Sequence, residues 1–376
     1  MGDQDDRGTD DDAPGPAPVT DTAAAGPDPH PEPGPDPEPD DQAHVSTTGG
    51  GPPRTAPRRY AVVGLGAIGG YYGARLLAAG HEVHFVARSD LDHVRSRGLH
   101  VESPDGDLVF PDVSVFGATH EVPPVDVVLL AVKTTEVDAA QRLLEPLVGP
   151  DTIVVALQNG LGVEHPIAEA VPDATVLGGM CFVCTNKVGP GHVRHLDYGA
   201  VTLGEHVAGP EGAGITAAVD AVASDLEGAG IVAQRIENLV TGRWRKLVWN
   251  IPYNGLSVVL DAGTDELMGD PATRRLVNDL MFEVVRAAEA CGHRIEDDFV
   301  DYMLRTTDKM TPYATSMKLD YDARRPLEID TIYGAPVAAA QAAGFAMIRT
   351  ASLYAQLRFL DARNRGVDLD LQPRAD

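Results

Sequence analysis

The chain has 376 residues and a formal net charge of -26, a combination that limits its possible partners. A protein that is negative overall repels phosphate backbones and anionic lipid surfaces, so we expect no nucleic-acid partner and no membrane partner. The most apolar stretch, Val125 to Val132, is too short to span a bilayer, and no basic start precedes a long apolar run. The sequence therefore predicts a soluble, cytoplasmic protein in which an anionic ligand needs a local basic pocket.

The N-terminal segment differs in composition from the rest of the chain. Residues 1–57 hold 13 of the 29 prolines, and every second residue from Pro27 to Pro39 is proline, which favours an extended, solvated polyproline II conformation. Residues 1–53 also carry 13 acidic side chains against Arg7 alone. A segment with so few large apolar side chains cannot form a core, so we predict a disordered tail over residues 1–57.

A glycine-rich turn follows the first apolar run after this tail. Arg59 to Val63 has the pattern of a buried strand and Ile68 to Ala79 that of a helix. Glycines spaced G-x-G-x-x-G between a strand and a helix are typical of a dinucleotide-binding turn, in which the backbone approaches the pyrophosphate and the N–H groups of the helix hold it. We therefore assign cofactor binding to the residues of this turn, namely Gly64, Gly66, Ala67, Ile68 and Gly69.

The residue after the second strand indicates which nicotinamide cofactor binds. An NAD-binding protein is expected to place Asp or Glu after this strand to bind the ribose hydroxyls, whereas here Arg88 follows Glu82 to Ala87. A guanidinium can pair with a 2′-phosphate through two parallel hydrogen bonds. The alternative is a solvent-facing arginine with no ligand. We predict that Arg88 binds the 2′-phosphate and that the cofactor is NADP(H).

Two further strands of the first half end in polar residues. Asp126 to Val132 is an almost continuous apolar run that ends at Lys133, and Thr152 to Leu157 leads into a loop that contains Asn159. Ligands bind at the carboxyl ends of parallel strands, so both side chains are candidates for the site. Asn159 precedes glycine, and Asn-Gly is also an ordinary turn dipeptide, so a structural role remains an alternative.

The second half contains a row of polar side chains. After about Glu237 the sequence has long helical periods, and Lys246, Asn250 and Asn254 recur every fourth residue, which would place them on one side of a helix. Pro252 and Gly255 are expected to distort or end that helix. The row could be a solvated face, but it is surrounded by apolar side chains, which favours a position in a cleft.

These patterns define the expected architecture. The fold class is an α/β Rossmann-type doubly wound sheet followed by an all-α C-terminal domain. We place the cofactor-binding domain at residues 58–236, the helical substrate domain at 237–366 and a short C-terminal tail at 367–376. A cleft between the two domains would bring the polar row to the cofactor, which indicates a reductase.

The cysteines and histidines provide little evidence for a metal. Cys181 and Cys184 form a CxxC inside an apolar run, but no second CxxC or matching histidine pair accompanies them. If the run is a strand, the two thiols face opposite sides. The twelve histidines are scattered and form neither HxH nor HExxH. We therefore predict packed thiols and no metal.

With these motifs, the chain resembles the ketopantoate reductases over about residues 59–363. The resemblance is carried by five fragments in order: the glycine turn, Lys133, Asn159-Gly160 with Gly162, the element WRKL-x-x-N-x-x-x-N from Trp244 to Asn254, and Ser316-Met317 with Glu328-Ile329-Asp330. The chain departs from the family pattern in its tail and at Ile251-Pro252-Tyr253.

The resemblance implies a reaction and a role for each residue. The reaction is reduction of 2-dehydropantoate to pantoate by NADPH, with Lys246 as the general acid and Glu328 as the acceptor of the substrate hydroxyl. Residues like Asn250, Asn254 and Ser316 hold the substrate, and those like Lys133 and Asn159 lie by the nicotinamide end of the cofactor. Alternatives are a reductase of another 2-oxo acid and an NADP(H)-binding protein without turnover. A homodimer is also possible.

Overall fold

The computed structural model describes residues 56–136, 142–209 and 211–367. The predicted disordered tail, apart from its last two residues, and the predicted C-terminal tail, apart from Val367, lie outside the described residues. In the part of the chain that the structure describes, no helix is both long and apolar enough to cross a membrane.

One mixed sheet organises the first half. Its strands are β1 (Arg59–Val63), β2 (Glu82–Val86), β3 (Leu99–Glu102), β4 (Leu108–Phe110), β5 (Ser114–Phe116), β6 (Val127–Leu130), β7 (Ile153–Ala156), β8 (Thr175–Gly189), β9 (His192–Glu205) and β10 (Ala233–Arg235). Their spatial order is β4-β3-β9-β8-β7-β6-β1-β2-β5, and β10 pairs with β9. Every pairing from β8 to β5 is parallel, because helices and longer connections carry the chain back between these strands.

The helices lie partly between these strands and mostly after them. They are α1 (Ala67–Ala78), α2 (Leu91–Arg97), α3 (Glu164–Ala170), α4 (Ala217–Gly228), α5 (Leu239–Val259), α6 (Thr264–Gly269), α7 (Pro271–Ala290), α8 (Asp298–Lys309), α9 (Ser316–Asp322), α10 (Ala335–Ala342) and α11 (Ile348–Arg365). Short 3-10 turns cover Thr119–Glu121 and Thr134–Glu136, and a π-helical turn covers Asp330–Gly334.

The parallel strands have the double burial that their sequences predict. All four residues of β6 and the last four of β1 are buried. Along each strand, successive side chains alternate between the hydrophobic cores on the two faces of the sheet. The chain moves from β1 to β2 on one side and to β6 on the other, so a crevice opens at the carboxyl ends of β1 and β6. The predicted fold class is confirmed.

A long antiparallel hairpin, β8–β9, extends this sheet beyond its Rossmann core. The hairpin has irregular register near Phe182, Cys184 and Lys187, and its far end pairs in parallel with β3. Register shifts of this kind are typical of β-bulges. The sequence analysis did not predict the hairpin, and it proves important for the site.

Helix α5 forms the centre of the helical half. Asn238 caps it by accepting a hydrogen bond from the backbone N–H of Thr241, and the helix then continues to Val259. Pro252 and Gly255 were expected to distort or end the helix, and the structure shows that they do not end it. Tyr333 and Leu353 pack so closely against Gly255 that a β-carbon there would lie 2.8 Å from the Tyr333 hydroxyl and 2.5 Å from a Leu353 methyl. Tertiary packing therefore outweighs the local propensity of these two residues.

Candidate active site

A cavity of about 700 Å³ lies between the carboxyl ends of the parallel strands and helix α5. Its lining includes most residues that the sequence singled out: Gly66, Ala67, Ile68, Lys133, Asn159, Lys246, Asn250, Asn254, Ser316 and Glu328. The glycine turn, the ends of β6 and β7, the hairpin and the helical half all contribute to it. The fold thus brings the separate sequence fragments to one place.

Lys246 lies on α5 with its ammonium against the hairpin. The Nζ atom donates a hydrogen bond to the carbonyl of Cys181 at 2.7 Å and lies 5.1 Å from the ring centre of Phe182. Burial lowers the pKa of Lys246 to about 8. This side chain is therefore a stronger acid than an ordinary lysine.

The two asparagines follow Lys246 on the same helix. Asn250 and Asn254 are both buried and both line the cavity, because α5 remains helical through Pro252. The Asn250 amide nitrogen lies 3.5 Å from the side-chain oxygen of Asn159, which follows β7. The polar row is therefore part of a cleft and not a solvated face.

Glu328 enters the cavity from the segment after α9. Its Oε1 atom accepts hydrogen bonds from the backbone N–H of Thr134 at 2.9 Å and from the Thr134 hydroxyl at 3.0 Å. Burial raises the pKa of Glu328, while the Thr134 hydrogen bonds and the charge of Lys133 oppose that rise. Both bonds end on Oε1, and among the described residues no hydrogen bond reaches Oε2.

Lys133 and Ser316 also line this cavity. The Lys133 ammonium forms an ion pair with Asp320 on α9, and Arg325 donates to the other carboxylate oxygen of Asp320 at 2.8 Å. Ser316 is exposed and begins α9. Asp320, which is itself buried, thus holds two cations in the lining of the cavity.

The glycine turn has the geometry that a dinucleotide needs. Gly64 has a φ of +105°, which favours glycine, and a β-carbon on Gly66 would meet no atom within 4 Å, so the backbone faces open space. A β-carbon on Gly69 would lie 2.1 Å from the Gly64 carbonyl oxygen, so this glycine permits helix packing. Gly69 does not line the cavity, so its part in the turn is packing.

A second cavity, of about 260 Å³, lies on the far side of the same turn. Gly64, Gly66 and Arg88 line it, together with Lys187 from the hairpin. Arg88 is exposed and follows β2 by two residues. The position agrees with the place that the fingerprint gives to the adenosine ribose, so the residues present fit a dinucleotide with its two ends in the two cavities.

Several residues of the site were not found from the sequence. Thr134 and Asp320 hold predicted site residues, and Phe182 lies beside the Lys246 ammonium. Arg325 and Asp320 belong to a segment whose many charges resemble an exposed surface. Only Thr134 has a positional signal, since it follows Lys133 after a central strand.

The cysteines have the packing role that was predicted. Cys181 and Cys184 are buried free thiols on β8, the first in the core of the sheet and the second in the core of the helical half. Burial raises the pKa of Cys181 to about 11 and that of Cys184 to about 12, so both remain protonated. The strand therefore directs its two thiols to opposite sides, as expected.

The histidines are less scattered in space than in sequence. His100, Glu102 and His192 meet on the paired strands β3 and β9, with ligand atoms within 4.8 Å of one another. Glu102 already accepts hydrogen bonds from His192 and Arg194, so its carboxylate is neutralised without an ion. We assign no metal to this cluster.

A Rossmann sheet with a glycine turn, joined to a helical half that brings a lysine and a carboxylate to the cofactor crevice, defines a class: the nicotinamide-dependent oxidoreductases with a helical C-terminal part. Within this class, the chain belongs to the ketopantoate reductase family. The family model described as "Ketopantoate reductase PanE/ApbA" matches residues 60–208, and the model of its C-terminal part matches residues 238–361.

Individual relatives agree with this assignment. A 2-dehydropantoate 2-reductase from Nostoc is 52% identical over 308 residues, which cover 82% of this chain and 97% of that protein. The crystal structure of a 2-dehydropantoate 2-reductase from Geobacter metallireducens superposes with a TM-score of 0.76 at 38% identity and covers 80% of this chain and 99% of that one. A D-mandelate dehydrogenase solved with NADH and anilino(oxo)acetate shares the fold at 24% identity, with a TM-score of 0.72 over 81% of this chain and 99% of that one.

Proposed function

We propose that the chain reduces 2-dehydropantoate to pantoate with NADPH, with Lys246 as the general acid. One observation carries the proposal: the Lys246 ammonium, the Glu328 carboxylate and the glycine turn line a single cavity, although they lie far apart in the sequence. The Nostoc relative, named for the same reaction, supports it. Bound NADPH would supply the hydride, and the residues of the chain supply everything else.

Lys246 would act on the carbonyl oxygen of the substrate. Addition of hydride to a ketone builds negative charge on that oxygen, which needs a cation to stabilise it and a proton to complete the alcohol. An ammonium whose pKa is about 8 is mostly protonated at neutral pH, and it releases its proton more readily than an ordinary lysine. The Cys181 carbonyl holds Nζ in place from the opposite side of the cleft.

Glu328 would recognise the substrate hydroxyl. Thr134 fixes the carboxylate through Oε1, which leaves Oε2 to accept a hydrogen bond from the hydroxyl. Asn250, Asn254 and Ser316, which line the cavity, would offer neutral donors for the substrate carboxylate. Lys133 and Asn159, which also line it, would lie by the substrate and the nicotinamide end of the cofactor. Each role is the one that the family resemblance assigns to that position.

Lys246→Ala tests the proposal directly. Loss of the only proton donor that we assign should reduce turnover of 2-dehydropantoate by roughly two or more powers of ten, while NADPH binding survives. Steady-state assays of NADPH oxidation and a separate NADPH titration measure both quantities. Arg245→Ala is the matched control. Arg245 directly precedes Lys246 on α5, but it stacks on Phe299 and does not line the cavity. Near-normal turnover of Lys246→Ala would exclude the assigned acid.

Glu328→Ala tests the choice of substrate. The variant should lose about tenfold to a hundredfold in kcat/KM for 2-dehydropantoate, as expected for a hydrogen bond to a charged group, and less for the analogue in which the hydroxyl is replaced by hydrogen. The ratio of the two substrates is the measured quantity, because partial unfolding lowers both rates alike. Glu283→Ala is the control: Glu283 binds the backbone N–H and hydroxyl of Thr350 in the same way, outside the cavity. Equal losses for both substrates at Glu328 would count against recognition of the hydroxyl.

We also propose that the protein is a cytoplasmic homodimer. Cys181, Cys184 and Cys291 are free thiols, which are usual in a reducing compartment. A ketopantoate reductase from Staphylococcus aureus, solved with the same fold at 22% identity, is described as dimeric. Light scattering on the purified chain tests the oligomeric state.

A further inference from the structure

The smaller cavity contains a cation that the cofactor fingerprint does not include. Besides the glycine turn and Arg88, its lining includes Asp90 and Lys187. Lys187 lies near the end of β8, about a hundred residues after Arg88 in the sequence, and it also lines the larger cavity. The hairpin thus reaches along the cleft to the end where Arg88 would hold the 2′-phosphate.

Lys187 forms an ion pair with Asp90. Its Nζ atom lies 2.6 Å from Oδ1 of Asp90, whose side chain is 4% exposed against 34% for Lys187. The backbone N–H of Gly191, in the turn between β8 and β9, donates to Oδ2 at 2.9 Å, and the Ser89 hydroxyl donates to Oδ1 at 2.8 Å. Burial raises the pKa of Asp90, but these hydrogen bonds outweigh it and lower the pKa, so the carboxylate is ionised.

An ionised carboxylate in this cavity opposes NADPH. Acidic side chains just after the second strand favour the ribose hydroxyls of NAD and repel a 2′-phosphate. Asp90 lies two residues after Arg88 in the same cavity, so its uncompensated charge would work against the phosphate that Arg88 is assigned to bind. The Lys187 ammonium removes that charge at hydrogen-bond distance.

We propose that Lys187 is a specificity-determining residue for NADPH, which acts by neutralising Asp90 beside the 2′-phosphate position. The inference rests on the proposed function and deepens it, because it assigns part of the cofactor preference to the β8–β9 hairpin. A purely structural ion pair, which only fastens the hairpin to α2, would affect both cofactors equally. The NADPH-to-NADH ratio therefore separates the two roles.

The experiment titrates the full-length chain with NADPH and with NADH, and follows nicotinamide fluorescence without substrate. Lys187→Gln should weaken NADPH binding about tenfold and change NADH binding less than about twofold, because only NADPH carries the phosphate. Lys187→Arg should bind NADPH almost as the unaltered chain does. The double variant Lys187→Gln with Asp90→Asn should recover most of the lost NADPH affinity, since the repelling charge is gone.

Each outcome decides between the two roles. Arg286→Gln, which removes a cation paired with Glu289 and Asp297 on the helical side, is the matched control and should leave both affinities unchanged. Equal losses for NADPH and NADH, or no recovery in the double variant, would overturn the role of Lys187. Failure of the unaltered chain to bind NADPH would instead overturn the proposed function, and the inference with it.

Discussion

At the scale of single residues, the site depends on one lysine whose surroundings change its acidity. Lys246 packs against the hairpin, and its ammonium contacts the Cys181 carbonyl and the faces of Phe182 and Trp249. These groups stabilise a cation less well than water does, so burial lowers the pKa to about 8. The residue can therefore donate a proton at neutral pH and recover it from solvent.

The rate of reduction should reflect this pKa. Because Lys246 must be protonated to act as an acid, kcat/KM should be highest below pH 8 and fall about tenfold per unit as the pH rises above the pKa of about 8. Initial rates with 2-dehydropantoate across about pH 6 to 10 give the profile. Residual activity of Lys246→Ala should lack this basic limb. A profile of the unaltered chain that stays flat up to the ordinary pKa of lysine would show that no such acid limits the reaction.

The sequence was informative about some residues of the site and silent about others. Lys246, Asn250 and Asn254 could be found because their spacing matches one face of a helix. Thr134 binds Glu328 across 194 positions of the chain, and such pairs follow no local pattern. The residue that binds Glu328 can therefore be identified only from the folded structure.

At the scale of elements, buried strands were predicted well and irregular ones were not. β1 and β6 have apolar runs that only a doubly covered strand explains, and their bounds differ from prediction by at most two residues at either end. The β8–β9 hairpin mixes apolar, polar and glycine residues and has register shifts, so it has no clean alternation. Both Phe182 and Lys187 belong to this hairpin, which explains why the sequence missed them.

The packing of α5 against its neighbours requires a small residue at position 255. Gly255→Ala would place a methyl group against Tyr333 and Leu353, so we expect a loss of about 1–3 kcal/mol in the free energy of unfolding. Urea denaturation measures it. Gly228→Ala is the control, since no atom lies within 4 Å of a β-carbon at the end of α4, and stability there should stay the same or rise slightly. Similar effects at both positions would mean that the packing around Gly255 can adjust freely.

At the scale of the whole molecule, a buried ion pair joins α5 to the sheet. Arg243 on α5 donates to Glu164 on α3 at 2.7 Å, and to the carbonyls of Gln158 and Ala156 at the end of β7. Both side chains are at most 4% exposed. A β-carbon on Gly178 would lie 2.2 Å from the Glu164 carboxylate, so β8 carries glycine where the pair needs room. This pair fixes the start of α5, and thereby Lys246 one turn later, relative to the cofactor crevice.

Removal of one partner of this buried ion pair should therefore lower both the stability and the activity of the protein. Glu164→Ala leaves the Arg243 guanidinium buried without a counter-charge, which should lower the free energy of unfolding by about 3–5 kcal/mol. Asp308→Ala removes the partner of Arg274 from a pair in which each side chain is about 40% exposed, and should cost less than about 1 kcal/mol. Denaturant unfolding of both variants gives the comparison. Because the Arg243 pair positions Lys246, kcat of the folded Glu164→Ala protein should also fall, whereas kcat of Asp308→Ala should not. Equal stability and equal kcat in the two variants would show that the helical half keeps its place without the buried pair.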